Sequence, residues 1–247
     1  MAGNLGIDRG SIDHGNSDHG SIGRGNIDHV NIDHVVIAAI DLEQGVRYVR
    51  EQLGVDIPFG GEHPLMGTHN HLMQLGEAVF LEVIAVNPLG EQPLQPRWYG
   101  LDDPYVRARI TEEPALVGWV VNTSSIDAVL AAASVQGRDF GKTVPVTRGN
   151  LKWKFGLPDD GRLLAAGMLP YVIEWGSNTH PAALMADTGC RLVRLVIEHP
   201  RRDWLQQSLQ VIGASGLVTV VESDTPVLSV TIDSPNGSVT LHSPRLT

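Results

Sequence analysis

The apolar residues between positions 32 and 54 first follow the pattern of a buried strand and then that of an amphipathic helix. Residues 32–39, IDHVVIAA, are apolar apart from two adjacent polar residues, which is typical of a strand inside a sheet. Apolar residues then recur three or four positions apart, at Leu42, Val46, Val49 and Leu53. Because Asp41 is suited to cap this helix and Gly54 to end it, a strand followed by a helix is predicted.

Alternation along the strands predicts which side chains share a face. In the first strand, His34 falls on the face opposite to Asp33. A later strand at residues 79–86 is apolar on both faces except for Glu82, and a buried carboxylate of this kind needs protonation, a charged partner or a metal. With further strands at 69–75 and near 55–63, residues 31–88 are predicted to form one βαβββ module.

A second module of the same order is predicted at residues 116–189. The run LVGWVVNTSSIDAVLAAA repeats the strand and helix, and LKWKFGLP and PYVIEW supply later strands. Trp153 and Phe155 are expected to pack in the core, with a place in the wall of a cup as the alternative. Residues 89–115 are rich in proline and charge and form the crossover between the modules. In this crossover, Trp98 and Tyr99 are candidates either for covering a pocket or for an interface.

A third unit is predicted at residues 190–247. LVRLVIEHP predicts a strand, DWLQQSLQVIG a helix capped by Asp203, and three short strands follow, with a hairpin turn at PNGS. We expect this unit to extend the sheet or to form a homodimer face, and pairing with the second module is the alternative. The predicted fold class is α+β, with paired βαβββ modules forming a cupped mixed sheet and an additional C-terminal βαβββ-like unit.

The first thirty residues differ from the rest of the chain. They repeat a short unit, as in SIDHG, NSDHG and NIDHV, and contain many glycines and few large apolar residues. Such a segment cannot offset its conformational entropy by burial, so residues 1–30 are predicted to be a disordered tail. His14, His19 and His29 each follow an aspartate there and could bind stray divalent metal.

Composition narrows the partners and the location. The chain of 247 residues carries a net charge of −10, which argues against nucleic acid or an anionic membrane as a partner. Its single cysteine, Cys190, excludes an internal disulfide and a multi-cysteine metal site. No apolar run is long enough to span a bilayer and no signal peptide is recognisable, so a cytoplasmic location is expected.

Three segments in this order, IDHVVIAAIDLEQGVRYVREQLG, GGEHPLMGTHNHLMQLG and VFLEVIAV, are similar to the glyoxalase-like branch of the vicinal oxygen chelate superfamily. The resemblance continues through GMLPYVIEWGS and HPAALMADTGCRL and covers residues 31–245. It implies two βαβββ modules around a cup that holds a divalent metal. The first and last strands of each module are expected to supply the ligands.

The resemblance implies His34 and Glu82 as metal ligands in the first module and Glu174 as the ligand from the last strand of the second. One imidazole and two carboxylates suit a divalent ion such as Zn, Mn, Ni or Fe. Such an ion would polarise a substrate with vicinal oxygens, while Glu174 or Glu82 acts as the general base. The implied function is a metal-dependent lyase or isomerase of the glyoxalase type, with a small-molecule substrate as its partner.

The fourth ligand position is blank in the sequence. Aligning the two helix starts places Gly118 opposite His34 with Trp119 beside it, and neither residue can bind a metal. His69 and His71 are two positions apart, so they point the same way and would compensate if that side of their strand faces the cup. Two histidines and one carboxylate would then fit an extradiol ring-cleaving dioxygenase.

A second class of function stays open, in which the same cup binds or sequesters a small apolar compound without a metal, as bleomycin-resistance proteins do. On that interpretation His34 is a core histidine bonded to the backbone, and Glu82 pairs with a buried arginine or lysine. His63 is interpreted as a loop residue that could contact a ligand, and His180 as a residue of a structural turn.

Overall fold

The structure, a computed structural model, describes residue 1 and residues 30–177 and 179–244; the repeated N-terminal segment with His14, His19 and His29 lies outside the described residues. The first module consists of β1 (Asn31–Ala38), α1 (Leu42–Leu53), β2 (Phe59–His63), β3 (Thr68–Gly76) and β4 (Val79–Val86), and α2 (Pro104–Glu112) lies in the crossover. The second module consists of β5 (Ala115–Asn122), α3 (Ile126–Val135), β6 (Lys142–Arg148), β7 (Leu151–Leu157) and β8 (Tyr171–Trp175). The third unit consists of β9 (Arg191–His199), α4 (Arg202–Val211), β10 (Thr219–Glu222), β11 (Val227–Ser234) and β12 (Gly237–His242).

The two modules join into one mixed eight-stranded sheet with the strand order β2-β3-β4-β1-β5-β8-β7-β6. Each module pairs its first strand in parallel with its own last strand, and β1 and β5 meet antiparallel at the centre. The sheet curves so strongly that its edge strands β2 and β6 contact each other. The predicted pair of βαβββ modules forming a cupped mixed sheet is therefore confirmed.

Helix α1 begins and ends where the sequence predicts. The Asp41 side chain accepts a hydrogen bond of 2.7 Å from the Gln44 N–H, and Gly54 ends the helix with a φ of 71°. Gly45 lets the helix approach the sheet closely, because a Cβ atom there would lie 2.3 Å from Val83 Cγ1. None of the helices in the described residues is long and apolar enough to cross a membrane.

A β-bulge interrupts the alternation of β1 at its start. Ile32 pairs with Val121 and His34 with Val120, so two steps along β1 correspond to one step along β5. The extra residue is Asp33, whose carboxylate reaches the His34 ring. The predicted separation of these two side chains onto opposite faces is therefore wrong.

The third unit forms its own four-stranded sheet with the order β10-β9-β11-β12. It does not extend the large sheet. Its first strand, β9, pairs with two strands of its own unit, β10 and β11. In contrast, β1 and β5 each pair with one strand of their own module and with each other. Helix α4 starts after Arg201, so Asp203 lies in the first turn instead of capping the helix. The hydrogen bond of 2.8 Å from Arg138 Nε to Ser208 Oγ ties this unit to the second module.

Candidate functional site

The concave face of the large sheet encloses a cavity of about 40 Å³ between the two modules. Its walls are largely aromatic, and the aromatic residues are Phe80, Trp98, Tyr99, Trp153, Phe155 and Trp175. Trp98 and Tyr99 from the crossover are almost completely buried against it, and Trp153 and Phe155 line the cup as well as the core. Space of this size holds a few water molecules.

His34 is held from both of its ring nitrogens. Its Nδ1 donates to Asp33 Oδ1 over 2.6 Å, while Nε2 lies 3.2 Å from the Tyr99 hydroxyl oxygen and 3.5 Å from Glu82 Oε2. The ring also stacks on Phe80, with 4.5 Å between the ring centroids. Burial lowers the pKa of His34, but hydrogen bonds and charges from Asp33 and Glu82 outweigh burial and raise the pKa to about 9. His34 is therefore an oriented imidazolium in the cup.

Asp33, which the sequence analysis did not single out, is the hub of this network. Its Oδ2 atom accepts hydrogen bonds from Asn122 Nδ2 at 3.0 Å, Trp175 Nε1 at 2.7 Å and His180 Nε2 at 2.9 Å. The side chain has no solvent exposure. Burial raises the pKa of Asp33, but hydrogen bonds from His180 and His34 hold the pKa well below its usual range. A fixed carboxylate therefore keeps the His34 Nδ1 atom protonated.

His180 combines its predicted role in a turn with a contact to the site. Its Nδ1 atom accepts a hydrogen bond of 3.2 Å from the Ala182 N–H, so Nε2 carries the proton that it donates to Asp33. The turn that begins at Pro181 thus fixes the tautomer of a histidine beneath the cup.

Glu82 is buried without the arginine or lysine partner that was considered for it. Its Oε1 atom accepts a hydrogen bond of 2.7 Å from Asn70 Nδ2, and its Oε2 atom faces His34. Burial raises the pKa of Glu82, but the hydrogen bond and charge of His34, together with His63 and Asn70, bring the pKa below its ordinary value. Glu82 is therefore a carboxylate that faces an imidazolium.

A second histidine, His63, lies in the cup rather than in a loop. It is the last residue of β2, and its Nδ1 lies 3.1 Å from the Thr68 hydroxyl oxygen. Arg148 Nη1 donates to His63 Nε2 at 3.3 Å and to Asn70 Oδ1 at 3.2 Å. Burial lowers the pKa of His63 to about 4. The charge of Arg148 acts in the same direction, whereas the charge of Glu82 opposes the shift. His63 is thus neutral and accepts a hydrogen bond from a cation.

Glu174 does not join His34 and Glu82. Strand β8 turns Ile173 and Trp175 into the cup, so the carboxylate between them faces the opposite side of the sheet. There Glu174 Oε2 accepts a hydrogen bond of 2.8 Å from the Ile126 N–H at the start of α3. Its Oε1 atom lies 3.1 Å from Lys154 Nζ. The expectation that Glu174 acts as ligand or base in the cup is therefore corrected: it supports the helix.

The two histidines of β3 also face away from the cup. His69 and His71 pair with Ala85 and Val83 of β4, whereas Glu82 lies opposite Leu72. His71 Nδ1 donates to the Ile57 carbonyl oxygen over 2.7 Å. Neither histidine fills the blank ligand position, at which Gly118 pairs with Val36 of β1.

The donor set of the cup does not fit the metal centre that the resemblance implies. Of the three expected ligands, only His34 and Glu82 converge, and they contact each other directly. Within residues 30–177 and 179–244, no group of three or more histidine, cysteine, aspartate or glutamate side chains is arranged to hold a metal ion. The cup instead holds a carboxylate and a phenol that both lie within 3.5 Å of the same imidazolium nitrogen, Nε2 of His34.

Residues 32–213 match the family model described as a glyoxalase-like domain. The chain belongs to the glyoxalase-like domain family. This family is part of the vicinal oxygen chelate superfamily, as the resemblance of the sequence segments implies. No curated protein matches the chain by sequence.

Solved structures with a similar fold are distant in sequence. A hypothetical protein from Staphylococcus aureus has a TM-score of 0.53 and 13% identity, with 87% of this chain and 85% of that chain covered. Methylmalonyl-CoA epimerase from Mycobacterium tuberculosis has a TM-score of 0.37 and 19% identity, with coverage of 59% and 86%. A triple mutant of 4-hydroxymandelate synthase from Streptomyces coelicolor has a TM-score of 0.47 and 15% identity, with coverage of 90% and 65%. The first likeness supports the fold alone.

Proposed function

We propose that the chain is an enzyme of the lyase or isomerase type that moves a proton on a small molecule with neighbouring oxygens, without using a metal. The observation that carries the proposal is the contact between Glu82 and His34, whose Oε2 and Nε2 atoms lie 3.5 Å apart at the wall of one cavity. A base and an acid that face the same small space are what proton transfer next to a carbonyl group requires.

In this mechanism Glu82 takes a proton from the carbon beside a carbonyl group. His34 donates its Nε2 proton to the carbonyl oxygen, and the electron pair of the broken C–H bond forms the carbon–carbon double bond of an enol. Return of the proton from Glu82 to the neighbouring carbon gives an isomer, and His34 regains its proton from the second oxygen. Protons and electrons balance without a further reactant.

Asp33 and Tyr99 have supporting roles in this scheme. Because Asp33 keeps the proton on Nδ1, only Nε2 of His34 exchanges protons with a substrate. Burial raises the pKa of Tyr99 well above its ordinary value, and the charge of Glu82 adds to the effect, so the hydroxyl stays protonated and can donate to a developing oxyanion. Tyr99 adopts a left-handed backbone with φ of 56° and ψ of 22°, a strained conformation of the kind that occurs at functional sites.

The experiment uses chelator-treated protein in D₂O with glyceraldehyde, dihydroxyacetone and lactaldehyde, and follows the carbon-bound protons by NMR. The wild type is expected to exchange the carbon-bound protons of at least one compound with solvent. In Glu82→Gln the exchange rate is expected to fall at least about 100-fold. Glu174→Gln is the matched control, since this carboxylate lies on the other face of the sheet. Full exchange in Glu82→Gln, or no exchange of any compound by the wild type, contradicts the proposal.

A metal-free binding protein is the second candidate, favoured by the small volume of the cavity and its aromatic walls. On this alternative, small apolar compounds bind without proton exchange. The enzyme hypothesis instead predicts proton exchange in the wild type that His34→Gln abolishes.

A further inference from the structure

Arg148 places a partly buried guanidinium at the cup without a carboxylate partner. Its Nη1 atom donates to His63 and Asn70, which are both neutral acceptors, over 3.3 and 3.2 Å. Among the described residues, the guanidinium forms no ion pair, and its Nε and Nη2 atoms make no hydrogen bond. Burial lowers the pKa of Arg148 while the charge of Glu82 opposes this effect. The free edge of this planar fork matches the geometry of a carboxylate.

Asn70 separates the guanidinium from the proposed base. Its Nδ2 group donates to Glu82 over 2.7 Å, while its Oδ1 atom accepts from Arg148. The amide orientation is therefore fixed by a charge at each end. An anion bound by Arg148 would lie beside the proposed base and be shielded from it by the amide.

Two glycines of β2 leave the space that these polar groups occupy. A Cβ atom on Gly60 would lie 2.4 Å from Asn70 Oδ1, and a Cβ atom on Gly61 would lie 3.0 Å from Arg148 Cδ. Gly61 also has a φ of 150°, which side chains disfavour. The backbone of β2 is thus built around the positions of the amide and the guanidinium.

We propose, on the basis of the function proposed above, that the substrate is a short 3-hydroxy-2-oxo acid whose carboxylate is bound by Arg148. Its carbonyl group would then face His34 and its C3 carbon Glu82. The small cavity of about 40 Å³ favours a short carbon chain over a long one. Pyruvate is the smallest suitable probe, and butane-2,3-dione is its neutral analogue with the same pair of neighbouring oxygens.

Calorimetric titration of both compounds tests the inference. Pyruvate is expected to bind the wild type, and Arg148→Met is expected to weaken binding at least about tenfold because a charge-assisted bidentate contact is lost. Arg148→Lys should be intermediate, since lysine lacks the planar fork. Lys152→Met is the matched control, as it removes an exposed cation from the same hairpin. Butane-2,3-dione should bind more weakly than pyruvate and equally to the wild type and Arg148→Met.

Three results would overturn the inference: absence of pyruvate binding, unchanged affinity in Arg148→Met, or a dione that binds the wild type as tightly as pyruvate. Exchange of the pyruvate methyl protons with D₂O separates this inference from the proposed function. If pyruvate binds through Arg148 without exchange, the carboxylate site stands and the enzyme hypothesis fails. If exchange proceeds in Arg148→Met with an unchanged KM, the enzyme hypothesis stands and the carboxylate site fails.

Discussion

The Asp33 carboxylate and the His34 imidazole are neighbours in sequence and hydrogen-bonded to each other, with 2.6 Å between Oδ1 and Nδ1. Strict alternation in a strand would direct these side chains to opposite faces of the sheet. The bulge opposite Val120 and Val121 allows the contact. A buried carboxylate, stabilised by three further donors, thereby orients the imidazole that faces the cup.

Substitution Asp33→Asn should lower the pKa of His34 substantially from its value of about 9. The amide removes the charge and the strongest acceptor at Nδ1, while the burial that disfavours an imidazolium remains. Because a buried charge network is broken, we also expect a loss of about 3 kcal/mol in the free energy of unfolding. NMR titration of the His34 ring measures the first effect, and an unchanged His34 pKa would show that Asp33 does not control it.

Stability should fall as the pH rises from 6.5 to about 9. The folded-state pKa of His34 lies above its ordinary value of 6.5, so the folded protein binds more protons in this range. The contribution of His34 is complete below pH 6.5 and is lost as the pH rises through 9. Urea unfolding should register a decrease of roughly 1–3 kcal/mol in the wild type and a flatter profile in His34→Gln. Parallel profiles for the two proteins would be inconsistent with a raised pKa.

Stability should also fall as the pH decreases from 6.5 towards 4, for the opposite reason. The pKa of His63 is lowered to about 4, so the unfolded chain binds more protons between these values. The contribution of neutral His63 is present above pH 6.5 and is lost as the pH falls through 4. His63→Gln should remove the part of this slope that lies above pH 5, where carboxylates contribute little. Unfolding midpoints of the wild type and His63→Gln, measured at intervals between pH 6.5 and 4, test this prediction. The same slope above about pH 5 in both proteins would contradict it.

Sequence patterns were sufficient for the fold of the two modules. Apolar periodicity and the caps at Asp41 and Gly54 gave α1 correctly, because both signals are local. The family resemblance brought Glu82 and His34 to one site, and the two side chains do converge, since β1 and β4 pair in parallel. Strand order in the third unit could not be read in this way, because strand pairing depends on contacts distant in sequence.

The candidate site was only partly predictable for a related physical reason. Alternation shows which side chains of a strand share a face, but not which face lines the cup. It therefore could not test Glu174, which was a ligand by resemblance, or settle which side the histidines of β3 face. Asp33 was missed because a bulge moves its side chain across the strand. Arg148 could not be found, since only the curvature of the sheet brings β6 to β2.

Substitution Gly61→Ala should displace Arg148 and weaken pyruvate binding, because the new Cβ atom would press on the arginine side chain. Gly149→Ala is a matched control. Gly149 also has a positive φ, of 56°, but a Cβ atom there would meet no atom within 4 Å. Both variants should lose about 1 kcal/mol of stability from backbone strain, while only Gly61→Ala should lose affinity. Equal affinities for pyruvate in the two variants would show that Gly61 does not control the position of Arg148.

The most direct measurement is the metal content of the protein without an affinity tag, purified from cells that were grown with added Zn, Mn, Ni and Fe. His14, His19 and His29 are replaced by alanine in this protein, so that the repeated segment contributes no histidine ligands. Because only two of the three expected ligands, His34 and Glu82, converge in the cup, the predicted metal content is far below one ion per chain, with the thermal midpoint unchanged by chelator. One ion per chain that disappears in Glu82→Gln or His34→Gln would contradict the metal-free acid–base site.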